Sequence, residues 1–331
     1  MHKASIQTIL KVIFAAAILT WLAKSDKLDL SLIGQVLENG PWALISLALL
    51  ICSSFIAAFR WSLLLKTKSD KIHIKKIYPI NLIGQFFSTF LPGIVTGDFL
   101  KLLYVRDCDK NLKRSFLLST ALIDRIIGLI GLLIVGGLSS IYFYSELTVL
   151  SPKVKPLISF NIMLLLGALG FVLVLFMPVR IKIHVIELIK ILPFVGDKIA
   201  SITETFWKIG ESRAVILKSI GLSVIVHIFA ITAFWSLVHS FLHANIGIKQ
   251  LFSIIPVGLI SIAIPISPAG AGVGHLVFEE LFKALGQDKG ASFFNLYFLV
   301  AISVNLLGVI PYVLWKKKHT FKEAEALEEV Q

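Results

Sequence analysis

Asn81-Leu82-Ile83-Gly84-Gln85-Phe86-Phe87-Ser88-Thr89-Phe90-Leu91-Pro92-Gly93-Ile94-Val95-Thr96-Gly97-Asp98-Phe99-Leu100-Lys101 is apolar enough to enter a bilayer and too broken to cross it as one helix. Pro92-Gly93 stops one half-helix, because proline lacks the N–H and glycine costs conformational entropy. Lys66, Lys68, Lys71, Lys75 and Lys76 precede the stretch, and Arg106, Lys110, Lys113 and Arg114 follow it. Loops that stay in the cytoplasm collect Lys and Arg, so both ends of this stretch belong on the cytoplasmic face. A crossing takes about 20 residues, and residues 79–105 are too few to cross twice. The stretch therefore enters and leaves by one face, as a re-entrant hairpin.

Outward from there, six segments read as complete spans: 5–23, 41–65, 115–144, 157–179, 215–242 and 291–315. A second broken segment, 250–286, is flanked by loops poor in Lys and Arg and dips from the other face. The chain is 331 residues with 56% hydrophobic and 16% charged residues, which excludes a soluble domain of this size built from amphipathic stripes. The expected fold is an all-α polytopic membrane protein, one transmembrane domain over 1–318 and a cytoplasmic, solvated tail over 319–331. The segment 5–23 is long for a signal peptide and lacks a small-residue cleavage site before Lys24, so it reads as a retained helix. Both termini then face the cytoplasm. Each half holds two spans, a re-entrant segment and a third span, which is the plan of an inverted repeat with its site where the broken helices meet. The net charge of +12 follows from the basic loops and does not call for nucleic acid. Cys52 and Cys108 have no metal-ligand spacing and suggest no disulfide framework.

Non-helical backbone at membrane depth is tolerated only when buried in protein or lining a wet cavity, so the two breaks are the first places to look for function. Asp98 falls near the start of the helix after Pro92-Gly93, where an acid either caps free N–H groups or lines the polar end of a cavity. Lys101, one turn on, is placed to pair with Asp98 or to attract a lipid phosphate. The second break, Ile264-Pro265-Ile266-Ser267-Pro268-Ala269-Gly270-Ala271-Gly272-Val273-Gly274-His275, leaves N–H groups free to bind an anion. No Gly-Lys-Ser/Thr follows, which excludes a nucleotide phosphate loop. Glu279 and Lys283 beyond it are i,i+4 partners. Asp124-Arg125 sits about two turns inside the third span, either as a neighbouring ion pair or with Arg125 as a phosphate fork. Arg60-Trp61 reads as an interfacial anchor. His227 and His239 are too far apart for an i,i+4 metal pair and read as packing residues.

The run Asn81…Phe86…Pro92-Gly93…Gly97-Asp98…Lys101, then Asp124-Arg125-Ile126-Ile127-Gly128, then Pro265…Pro268…Gly270…Gly272-Val273 resembles the lysylphosphatidylglycerol synthase transmembrane-region family, also called the flippase-like domain or UPF0104-type membrane proteins. The resemblance covers nearly the whole chain. Thr96-Gly97-Asp98 with Lys101 stands where the family commonly has Gly-Gly-Asp followed by Arg, Asp124-Arg125 where it often has Glu-Arg, and His275 where many members carry an acid. The resemblance implies translocation of a phospholipid or lipid-linked intermediate between leaflets of a prokaryotic cytoplasmic membrane, without the synthase activity and with no cofactor or metal. The substrate-binding set expected is Asn81, Gln85, Pro92, Gly93, Gly97, Asp98, Lys101, Asp124, Arg125, Pro268, Gly270, Gly272, His275 and Glu279. The alternatives are a transporter of a soluble ion or organic anion, and an enzyme or accessory subunit of lipid modification or glycosylation, with a lipid-modifying enzyme or glycosyltransferase as partner. Against an enzyme, the chain has no His-Glu-x-x-His, paired Asp motif or serine elbow.

Overall fold

The computed structural model of the chain describes residues 40–90, 94–191, 196, 200, 203–204, 207–208, 210–242, 246–263 and 273–315, together with Gly34 and Glu38. The expected span 5–23, the tail 319–331, Pro92-Gly93 and the glycine-rich run through Pro268, Gly270 and Gly272 lie outside the described residues.

The described structure is helical throughout. Its α-helices are α1 (Pro41–Lys66), α2 (Ile74–Phe90), α3 (Ile94–Cys108), α4 (Arg114–Tyr142), α5 (Tyr144–Leu150), α6 (Lys155–Leu175), α7 (Val179–Lys190), α8 (Arg213–Val238), α9 (Ile248–Ala263), α10 (Val273–Ala284), α11 (Gly290–Leu306) and α12 (Val309–Leu314). Five stretches are long and apolar enough to cross a membrane: Pro41–Lys66, Arg114–Tyr142, Pro152–Leu175, Arg213–Phe241 and Gly290–Leu314. They coincide with the last five spans read from the sequence. Their outer faces carry Leu44, Leu138, Leu166 and Leu173, all exposed as a lipid-facing surface requires. The protein is a multi-pass membrane protein.

Neither broken segment crosses. The helices α2, α3, α9 and α10 have 17, 15, 16 and 12 residues. At 1.5 Å per residue each is about 18–25 Å long, short of the ~30 Å hydrocarbon core. They form two antiparallel pairs, α2 with α3 and α9 with α10. In the first, the backbones close to contact: a Cβ added at Gly97 would lie 2.3 Å from the Gly84 carbonyl oxygen and 2.6 Å from the Ser88 nitrogen. Only glycine fits there, and that close approach holds the two arms together.

The two ends of each pair meet. Ser69, before α2, donates its Oγ to Asp109 Oδ2, after α3, at 2.7 Å. Around the second pair, Phe241 before α9 stacks on Phe293 at the start of α11, with ring centroids 6.4 Å apart. Each hairpin thus opens and closes on one face. The 29-residue span α4 starts beside the first mouth, at Arg114. Beyond its other end, Glu146 accepts from Lys249, at the start of α9, at 3.3 Å. The two hairpins therefore enter from opposite faces. The face of the first mouth is called the basic face below.

The packing also follows the inverted plan. The spans α1 and α8 cross antiparallel at the centre, with Ser53 Oγ donating to the Val226 carbonyl at 3.2 Å. Each hairpin's first arm, α2 or α9, packs on the third span of the other half. On α4, a Cβ at Gly136 would lie 2.9 Å from Pro256 of α9; between α11 and α12, one at Gly308 would lie 2.1 Å from the Leu82 carbonyl of α2. Both first arms carry an interior proline, Pro79 and Pro256.

The stretch after the fourth span, which lies between the spans 157–179 and 215–242 read from the sequence, contains the amphipathic helix α7. Its Val185 and Ile186 turn toward the core, while Val179, Leu188 and Ile191 stay exposed. Interior burial is too slight there for the sequence pattern to announce a span.

Candidate functional site

Five charged side chains converge where α1, α3 and α4 meet. Arg60 on α1 forks onto Asp124 of α4, with Nε to Oδ1 at 2.8 Å and Nη2 to Oδ2 at 3.0 Å. Its remaining nitrogen, Nη1, donates to Ser223 Oγ of α8 at 3.0 Å. On α3, Asp98 Oδ1 accepts from Lys101 Nζ at 2.7 Å, and Asp98 Oδ2 pairs with Arg125 of α4. Lys101 lies over the Trp61 ring, 4.5 Å from its centroid. The aromatic face and the carboxylate together offset the loss of water around the buried ammonium.

Adjacent residues on a helix point about 100° apart, which is why Asp124 and Arg125 serve different neighbours. Asp124 turns to α1 and Arg125 to α3, so the two are not a neighbouring ion pair. Asp98 lies within α3, four residues past Ile94, and its carboxylate is taken by Lys101 and Arg125 instead of capping the helix start. Arg60 is no interfacial anchor: it is buried and fully engaged, and Trp61 is buried beside it. The apolar surroundings of Arg60 in the sequence hid this, since an arginine six residues from a helix end has the stem length to reach the surface.

Around this centre, Ser54 of α1 donates to Gln85 of α2 at 2.8 Å. Asn81, one turn earlier on α2, is buried, and its Nδ2 finds no hydrogen-bond partner among the described residues. The Gly128 carbonyl of α4 accepts from Ser223 Oγ at 3.1 Å and from His227 Nε2 at 2.9 Å, so His227 is a structural member of the network. Nearer the hairpin tip, Asn305 of α11 donates to Thr89 Oγ1 at 2.8 Å. Ser54, Thr89, Ser223 and Asn305 escaped the sequence reading. Their signal was small polar residues inside apolar spans, which also occurs wherever membrane helices pack closely.

His275 and Glu279 are elsewhere, in the half of the second hairpin. His275 Nε2 contacts Asn295 Oδ1 of α11 at 3.2 Å. Glu279 pairs with Lys283 at 3.6 Å, as its spacing suggested, and also accepts the Ala291 backbone N–H at 2.9 Å, tying α10 to the first turn of α11. The structure brings Gln85, Gly97, Asp98, Lys101, Asp124 and Arg125 into one region and leaves His275 and Glu279 in another. Among the described residues no group of three His, Cys, Asp or Glu side chains is placed to hold a metal. Cys52 and Cys108 are free thiols.

The electrostatics leave one group facing outward. Three cations against two carboxylates give the cluster a net positive charge. The side chains of Arg60 and Lys101 are 7% and 8% exposed, whereas that of Arg125 is 44% exposed. Arg125 lies about 16 Å along α4 from Arg114, the first residue of the helix. A guanidinium paired with a carboxylate and still 44% exposed suits an anionic oxygen ligand such as a phosphate.

A protein-family model described as the lysylphosphatidylglycerol synthase TM region matches residues 8–308. No curated protein and no solved structure matches the chain.

Proposed function

This chain belongs to the lysylphosphatidylglycerol synthase transmembrane-region family, and from that premise we propose that it handles lipid by moving a phospholipid or lipid-linked intermediate between leaflets. The observation that carries the proposal is the partly exposed guanidinium of Arg125, paired with Asp98 about three turns inside the span α4 and within a net positive cluster. A lipid phosphate in transit must leave headgroup water, and charge-assisted hydrogen bonds inside the span offset part of that cost. The acyl chains stay in the bilayer while the headgroup passes the α3–α4 side. The protein acts as a transporter in this reading, with the basic face in the cytoplasm of a prokaryotic cell.

Mass spectrometry of the lipids retained by the detergent-purified protein tests it. One lipid enriched over the bulk membrane, with the enrichment lost in Arg125→Ala, is the expected result. A retained set that matches the bulk membrane in both proteins contradicts specific lipid handling.

A further inference from the structure

Val179-Arg180-Ile181-Lys182-Ile183-His184-Val185-Ile186-Glu187-Leu188-Ile189-Lys190 forms α7. The span α4 crosses away from the basic face and α6 crosses back, so α7 begins where α6 reaches the basic face. Successive residues turn about 100° around a helix, and Lys182, Val185, Ile186 and Ile189 therefore share one face; all four are half-buried. Ile181 and Leu188 run along one border of that face and Val179 and Ile183 along the other, with 45%, 66%, 67% and 50% of their surface exposed. Arg180, His184 and Glu187 stand opposite, all exposed. Trp207 joins the helix to the protein. Lys182 Nζ lies 5.6 Å from the centroid of its ring, and its Nε1 donates to the Val174 carbonyl in the last turn of α6 at 3.3 Å.

We propose that α7 lies in the plane of the leaflet at the basic face and binds anionic phospholipids there, with its two apolar borders among the upper acyl chains and Arg180 and Lys190 on the phosphates. At about 18 Å the helix is too short to cross the ~30 Å core, and its five polar side chains bar it from the hydrocarbon. A helix of this kind settles about 5–10 Å into the boundary between headgroups and acyl chains. Three features select the occupant. The apolar borders flank the protein contact on either side, so no single rigid partner covers both, whereas lipid flows around the helix. They also continue the lipid-facing surface of α6, whose Leu173 and Val174 are exposed just before them. Lastly, Arg180, Lys182 and Lys190 against Glu187 are three cations against one acid, which complements a phosphate layer. A second copy placed face to face would set the same cations against each other. Lys190 has only a loose, exposed partner in Glu204, at 4.0 Å, and stays available to a phosphate.

Position gives the anchor its use. The span α6 packs chiefly on α4, and its basic-face end is met by Trp207 and Gly210, just before α8. A Cβ at Gly210 would lie 2.9 Å from Leu175. Lipid bound along α7 braces that end of α6 at the depth of the leaflet. The anchor does not depend on what the protein transports, so this proposal and the lipid-moving reading can fail separately.

The test labels the full chain, carrying Cys52→Ser and Cys108→Ser, with an environment-sensitive fluorophore at Ile183→Cys, Leu188→Cys, His184→Cys or Glu187→Cys. The protein is placed in phosphatidylcholine vesicles that hold phosphatidylserine, with iodide as the soluble quencher on both sides. A nitroxide near the head of one acyl chain is carried in turn by the phosphatidylserine or by the same amount of phosphatidylcholine. Positions 183 and 188 are expected to lose emission to the nitroxide and to be shielded from iodide, and 184 and 187 to behave in the opposite way. At 183 and 188 the serine lipid quenches more than the choline lipid, with a local preference of about fivefold, the order that one nearby cation gives. High salt, or Arg180→Gln/Lys190→Gln, removes the preference and leaves the quenching. At Leu166→Cys, on the lipid-facing side of α6 away from these charges, the two lipids quench alike. Iodide quenching at 183 and 188 without nitroxide quenching overturns the proposal, since α7 would stand in water. Shielding of both positions from both quenchers overturns it too, since protein would cover the borders. Equal quenching by the two lipids at 183 and 188 overturns the selection of anionic lipid.

Discussion

Arg60 and Arg125 are the same side chain on neighbouring spans, and their surroundings separate their roles. Arg60 directs three nitrogens to Asp124 and Ser223 inside the protein, while Arg125 keeps nearly half of its side chain accessible. Removing one partner of a buried pair leaves the other charge unpaired, at a cost of about 3–5 kcal/mol. Arg60→Ala or Asp124→Asn is therefore expected to lower stability by that order, read as an earlier midpoint in denaturant-induced unfolding in detergent. Arg60→Met/Asp124→Leu restores most of the loss, because an apolar pair of similar size needs no partner. If the single variants unfold at the wild-type midpoint, the pair is not structural. The sequence put Lys101 within reach of Asp98, and the structure pairs them, but it offered Asp124 and Arg125 as partners of each other and left Arg60 at the interface. Adjacent residues diverge around a helix, and the identity of the facing helix is a tertiary fact. The order of the pairs, Arg60 with Asp124 and Asp98 with Arg125, could not be read from spacing.

At the scale of the elements, the first hairpin rests on a backbone crossing and a clamped mouth. Gly97→Ala places a methyl on the Gly84 carbonyl, and overpacking of this kind typically costs about 1–3 kcal/mol. Gly84→Ala meets chiefly the flexible Lys101 stem, at 3.1 Å, and costs less. Comparing thermal midpoints of the two variants checks that order; equal midpoints would contradict the close crossing. At the mouth, the hydroxyl of Ser69, the Asn111 N–H and the charge of Lys71 hold the Asp109 carboxyl below its ordinary range. A carboxylate with a lowered folded-state pKa contributes stability above its unfolded pKa and loses it as pH falls through the folded value. Asp109→Asn is expected to flatten the acid limb of a stability-versus-pH curve below about pH 4. An unchanged acid limb would mean that the clamp carries no stability. Proline and glycine announced both hairpins, and the described arms, Ile74–Phe90 with Ile94–Cys108 and Ile248–Ala263 with Val273–Ala284, match the outer bounds of the broken segments within a few residues. Helix α7 was missed because its apolar residues are too few for a span and its charges resemble a loop.

For the whole molecule, the decisive inference was that both ends of each broken segment share a face, read from loop charge and met by the Ser69–Asp109 and Phe241–Phe293 contacts. In a background with Cys52 and Cys108 replaced by serine, cysteines at positions 70 and 111 are expected to react with an impermeant thiol reagent from one side only. Cysteines at 145 and 288 react only from the other. Reaction of positions 70 and 111 from opposite sides would mean that the first hairpin crosses the membrane. The inverted arrangement was legible as a count of spans, but the exchange of first arms between halves was not, because no residue repeat marks which helix meets which. The charged residues beside the first broken segment were legible, but no ligand was, since a ligand leaves no periodicity in the chain.

The most direct measurement is leaflet exchange of a headgroup-labelled phospholipid in vesicles holding the wild type, Asp98→Asn or Arg125→Ala, followed by quenching of the outer leaflet. Wild-type vesicles are expected to expose the inner-leaflet probe, while both variants fold and behave as protein-free vesicles. Exchange by both variants at the wild-type rate would contradict a lipid path through the Asp98–Arg125 centre.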